Sequence, residues 1–176
     1  MTRLAVAVWP PSGIMTALEG LRRQPGVNWS KPEQWMVKLR PLGHVDLRLV
    51  EALSAALTDE LAQAGPADCV LGPETRRLGG QWLGVPVSGL DDLAVSVFDA
   101  TIAIVPVTHP QPFQADIVVA RGNVPAAVAG EAISGSWRAE CVWLVADRSG
   151  PGRPRYENLA EFPLRDGDLE AVRHSG

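Results

Sequence analysis

Residues 142–164 read VWLVADRSGPGRPRYENLAEFPL. The apolar run up to Asp147 has strand composition, SGPGRP (149–154) is a turn built on glycine and proline, and YENLAEFPL (156–164) is a second strand with alternating faces. The turn lacks the glycine spacing and the strand-to-helix context of a phosphate loop. Extending the first strand backwards takes in WRAECVWLVAD, predicting one long strand over 137–147. The end of the chain therefore reads as β-structure, and the question becomes what it packs with.

Outward from there, LAVAV (4–8) is a compact strand broken by Pro10 and Pro11. Ser12 is placed to cap a helix carrying Ile14, Leu18 and Leu21 at helical spacing, and Gln24, Pro25 and Gly26 end it. WMVKL (35–39) reads as a strand closed by Pro41 and Gly43. Asp46 then caps a longer helix striped by Leu47, Val50, Leu53, Leu57 and Leu61, which Gly65 and Pro66 stop. CVLG (69–72) and QWLGVPV (81–87) read as strands joined by a polar loop holding Arg76 and Arg77. A third helical pattern begins at Ser88 and fades near Val105, residues 106–112 are a loop, and FQADIVVAR (113–121) is a strand. GNVPAAVAGEA is a loop or short helix. The class is α+β, with a coarse internal symmetry in which 35–40 of one half answers 115–120 of the other.

Composition bounds the role. With 176 residues, 46% hydrophobic and 20% charged, the chain can bury a full core. A net charge of −4 gives no support for duplex nucleic-acid binding, which calls for a basic surface. Cys69 and Cys141 stand apart without metal-ligand spacing, so two reduced thiols in strands are expected and no metal or cofactor. No apolar stretch approaches the roughly 20 residues of a membrane helix, and the expected location is the cytoplasm.

Two short runs hold an unexpected charge each. PEQWMVKLRPLG (32–43) contains Lys38, and PFQADIVVAR (112–121) contains Asp116. Together with LAVAVWPP, QWLGVPVSGLDDLA and the 142–164 stretch, these runs carry a resemblance that covers almost the whole chain. The sequence resembles the 2H phosphoesterase superfamily, specifically bacterial RNA 2′,3′-cyclic phosphodiesterases, also called 2′-5′ RNA ligases. The resemblance implies a single domain over 1–176, of two pseudo-symmetric lobes of antiparallel sheet with outer helices around a central cleft, and a frayed tail from about 166. It also implies that each lobe gives the cleft one His-x-Thr strand. Residues at i and i+2 of a strand share a face, so histidine and threonine reach the substrate together. One imidazole takes a proton, the other gives one, and the hydroxyls hold the phosphate.

Laid on those motifs, Met36 and Lys38 stand at the first histidine and threonine, and Asp116 and Val118 at the second. A thioether and an isopropyl group transfer no protons. Of the chain's three histidines, His44 follows a strand end, His109 sits in a loop and His174 in the tail, none on the required spacing. The resemblance then sets Met36, Lys38 and Arg40 on one wall, facing Asp116, Val118 and Ala120 on the other, with Arg121 turned away unless the strand ends there. Lys38 and Asp116 would form an ion pair across the cleft. The other role open to them is an anion cradle of Lys38 and Arg40 with Asp116 as acceptor. Arg153, Arg155 and Tyr156 flank the turn near the cleft rim, and Trp35, Trp82 and Phe113 lie beside the motif strands, where aromatic rings stack on bases or fill a core. Three readings follow: a module that has lost phosphodiesterase chemistry and binds a nucleotide, an RNA end or another small phosphorylated ligand; an enzyme rebuilt on Asp116 and Lys38; or a structural protein with a closed cleft.

Overall fold

The computed structural model describes residues 1–110, 112–151 and 153–165. The tail expected to fray lies outside the described residues. In chain order the elements are β1 (Thr2–Val8), α1 (Ser12–Glu19), β2 (Asn28–Trp29), β3 (Val37–Val45), α2 (Val50–Leu61), β4 (Ala67–Leu71), β5 (Arg76–Leu78), β6 (Trp82–Ser88), α3 (Asp91–Thr101), β7 (Asp116–Arg121), β8 (Gly135–Ala139), β9 (Cys141–Asp147) and β10 (Tyr156–Pro163). Short 3-10 turns at Pro32–Gln34, Leu47–Leu49 and Ala126–Val128 join them.

Two antiparallel sheets result. One runs in the order β10-β9-β1-β3, and the other β2-β7-β6-β4-β8 with β5 also paired to β6. In the first sheet Leu4, Val6, Val8, Val37, Leu39, Val142, Leu144 and Phe162 join the main core. That face meets α3 through β3 and α2 through β10, while α1 lies against β8. The opposite face is lined by Ala7, Met36 and Val145, with Trp9, Trp143 and Tyr156 partly buried around them. The α+β class and the two-lobed arrangement follow the expectation.

Several local readings change. The single strand expected over 137–147 is two strands belonging to different sheets: β8 pairs with β4 and β9 with β1, and Glu140 lies between them. Periodicity cannot see this, because both segments alternate alike and only their partners differ. The polar loop at 76–78 is the strand β5, whose alternation is too short to register. Strand β3 does not close at Pro41; it continues to Val45. It is the edge of its sheet, where a proline leaves no interior ladder bond unmade, and Gly43 takes φ +70 at an irregularity beside it. Ser12 opens α1 as its first residue and makes no capping bond there. Asp46 does cap, accepting from the Arg48 amide of the 3-10 turn that leads into α2. The α2 stripe buries Leu53, Leu57 and Leu61, whereas Leu47 is exposed.

Candidate functional site

The inner face of the β10-β9-β1-β3 sheet forms a cavity of about 230 Å³, lined among others by Arg3, Ala5, Met36, Lys38, Val145, Asp147 and Tyr156. Strand alternation explains who is there. Met36 and Lys38 point inward and Val37 and Leu39 to the core. Then β3 bulges: Ala7 pairs with Lys38 but Val6 with Arg40, so Leu39 is the extra residue and Arg40 follows Val6 to the outer face.

Arg40 consequently leaves the cleft wall on which it was expected. It is 8% exposed, donates to Thr101 Oγ1 at 2.7 Å and to the Val105 carbonyl at 2.5 Å, and lies over the Phe98 ring at 5.4 Å. It ties β3 to the end of α3, and burial lowers its pKa. The cradle of Lys38 with Arg40 does not form.

The second motif strand repeats the device. Gly84 pairs with Val118 but Leu83 with Ala120, so Val119 is the extra residue of β7. Ile117, Val119 and Ala120 are buried in the core, and Asp116 and Val118 take the opposite face. After the bulge that face belongs to Arg121, not to Ala120. Arg121 lies 5.2 Å over the ring of Trp82, itself 40% exposed, and its Nε is buried without a hydrogen-bond partner.

Asp116 does not pair with Lys38. Its carboxylate accepts from Arg76 Nη2 at 2.9 Å, with the Asp116 side chain 9% exposed. The partner comes from β5 of the same sheet, the strand that reads as a loop in the sequence. Lys38 answers to different charges. Its pKa is lowered, first by loss of water within the cleft and then by the Arg121 guanidinium, with Arg3 adding to that effect and Asp147 opposing it. Among the described residues no carboxylate forms an ion pair with Lys38 or Arg121. For Asp147, burial alone would raise the pKa. Hydrogen bonds from Ser149 and the charges of Arg3 and Lys38 outweigh it and hold the carboxyl below its usual range.

The remaining candidates divide. Tyr156 lines the cavity beside Lys38. Arg155 is exposed and engages its neighbours through its backbone, whose amide donates to Ser149 Oγ. Arg153 is also exposed. Phe113 is 37% exposed ahead of β7, and Trp35 is buried in the main core. His44 borders a polar depression beside the cavity with Arg3, Asp147 and Arg148, His109 bonds its neighbour Thr108, and His174 lies outside the described residues. Both thiols are shifted upward by burial, Cys69 to about 11. Sequence reasoning missed Arg3, Asp147 and Arg76; it turned Arg121 outward unless the strand ended there, and β7 does end at Arg121. Arg3 and Asp147 were within reach, since they extend the Ala5–Ala7 and Val145 faces by strand spacing. Among the described residues no group of three or more potential metal ligands is gathered, and no helix is long and apolar enough to cross a membrane.

No protein-family model matches the chain, and no curated protein matches it by sequence. Solved structures do match. TT0787 of Thermus thermophilus superposes with a TM-score of 0.81 at 23% identity, over 94% of this chain and 99% of that one. E. coli LigT in apo form gives 0.80 at 20% identity, over 94% and 98%. This is the LigT-like fold. LigT in complex with 3′-AMP gives 0.77 at 19% identity, over 94% and 99%, and LigT has also been solved with phosphate, ATP and NADP+. Of the four positions at the two motif runs, Met36 and Lys38 line the cavity, and Asp116 and Val118 share one face of β7.

Proposed function

We propose that the protein is a binding module for a small phosphorylated ligand, a nucleotide or an RNA end, that has lost phosphodiesterase chemistry. The observation that carries this reading is the division of charge in the cleft. Arg76 neutralises Asp116, while Lys38 and Arg121 come from different sheets and have no paired carboxylate among the described residues. The Arg121 charge disfavours the charged form of Lys38, and an anion that meets both relieves the repulsion and gains charge-assisted hydrogen bonds.

Loss of catalysis follows from the same residues. Met36 is 4% exposed in an apolar cluster and has no proton to exchange. Asp116 gives its carboxylate to an ion pair with Arg76. Structures of LigT with 3′-AMP, ATP, NADP+ and phosphate support a nucleotide as ligand class. A cavity standing open beside Lys38 favours this reading over a closed structural cleft.

The test pairs calorimetric titration of 3′-AMP with a metal-free assay on short RNA ending in a 2′,3′-cyclic phosphate. Binding without product at high protein concentration is the expected result. Turnover that disappears in Lys38→Ala/Asp116→Ala would establish rebuilt catalysis instead, and absence of both binding and turnover would leave the structural reading.

A further inference from the structure

Lysine is rare in this protein. Of 16 Lys and Arg residues only two are lysines, Lys31 and Lys38, and one of them stands in the cleft. For holding a phosphate, arginine offers more: a planar fork with several donors. What lysine offers and arginine does not is an amine that can lose its proton and become a nucleophile. Lys38 has surroundings suited to that. The cavity wall around it is Ala5, Met36, Val145 and Tyr156, and the charges facing it are Arg121 from β7, Arg3 from β1 and Asp147 from β9. An apolar wall and a neighbouring cation are the two means by which proteins activate lysine amines, and both shift Lys38 in the same direction here.

We propose that Lys38 is a carbonyl-reactive amine that captures a small aldehyde or ketone bearing a phosphate or carboxylate group as a reversible imine, the anionic group lying toward Arg121 and Arg3. This rests on the reading of the cleft as an anion site. In the reaction the neutral Nζ adds to the carbonyl carbon, its protons pass to the carbonyl oxygen, and that oxygen leaves as water when the C=N bond forms. Hydrolysis reverses it, and no oxidant or reductant takes part. Lys38 is covered in part by the cavity wall and keeps the rest of its surface exposed, so a carbonyl compound can reach it.

The probe is pyridoxal 5′-phosphate, an aldehyde with a phosphate, incubated with the full chain and trapped with cyanoborohydride before peptide mapping. One pyridoxyl phosphate is expected on Lys38, about tenfold above labelling at Lys31, since charge-assisted hydrogen bonds to the phosphate hold the aldehyde beside this amine. Lys38→Arg should lose the adduct, Lys31→Arg should keep it, and pyridoxal without phosphate should label Lys38 about tenfold less at equal concentration. Equal labelling of Lys31, Lys38 and the amino terminus, or none, would overturn the inference. Calorimetry of inorganic phosphate with the same preparation separates the two ideas. If phosphate binds and Lys38 is not labelled, only the imine falls; if neither occurs, the anion site falls with it.

Discussion

Strands β3 and β7 carry the same backbone device and end with different surfaces. In each, two side chains two residues apart share the face opposite the core, Met36 and Lys38 or Asp116 and Val118. In each, the extra residue of a bulge follows, Leu39 or Val119, and the next side chain turns away with it. The residue after that returns to the inner face: Pro41 lines the cavity, and Arg121 stacks on Trp82. The repeat that the two runs suggested is thus a repeat of bulges as well as of strands. What differs is where an arginine falls relative to the bulge. One step before the return, as Arg40, it is buried and structural. At the return, as Arg121, it lies over Trp82 on the face opposite the core.

That contrast predicts opposite consequences for two arginine deletions. Arg40→Ala should have the largest effect on the fold, about 2–4 kcal/mol lost, because a charged donor pair and its packing on Phe98 disappear and the Val105 carbonyl loses its partner. Urea unfolding measures this, and a loss under about 1 kcal/mol would return Arg40 to the cleft residues. Arg121→Ala should do the reverse. Stability should change by no more than about 1 kcal/mol, the scale of a half-exposed cation–π contact, while affinity for 3′-AMP should fall about 10- to 100-fold with loss of a charged hydrogen bond.

The smallest effect concerns Lys38. Its folded pKa lies below the unfolded value near 10.5, so the folded chain binds this proton less tightly and the charged amine costs stability at neutral pH. That cost is relieved as pH rises through the lowered pKa toward the unfolded one. Wild-type stability should therefore gain over this alkaline window relative to Lys38→Met, whose neutral-pH melting temperature should be slightly higher than wild type. Parallel curves for the two proteins would show that the cleft exerts no pressure on this amine.

Much of the fold was legible in residues 142–164 and the two motif runs, because strand composition, turn residues and alternation are local properties. The candidate site was legible only up to the bulges. The resemblance set Met36, Lys38, Asp116 and Val118 on the cleft walls; Met36 and Lys38 line the cavity, and Asp116 and Val118 lie on the face of β7 turned away from Ile117 and Val119. Arg40 and Ala120 were carried onto those walls by the same count and lie on the other face. A bulge has no fixed sequence signature, and one extra residue reverses every later assignment along its strand.

The sequence by itself determined most of the elements, that each of two similar runs holds a charge, and that no histidine stands at the motif spacing in either run, since His44 comes only near the end of β3. Tertiary structure decided the electrostatics. Asp116 found its partner in β5, a three-residue strand invisible to periodicity, and Lys38 found Arg121 rather than Asp116 beside it. Alternation is written along one chain segment, whereas the partner of a charge depends on which strands the sheet brings alongside, and at distances of a few ångströms that choice sets the sign of the field in the cleft.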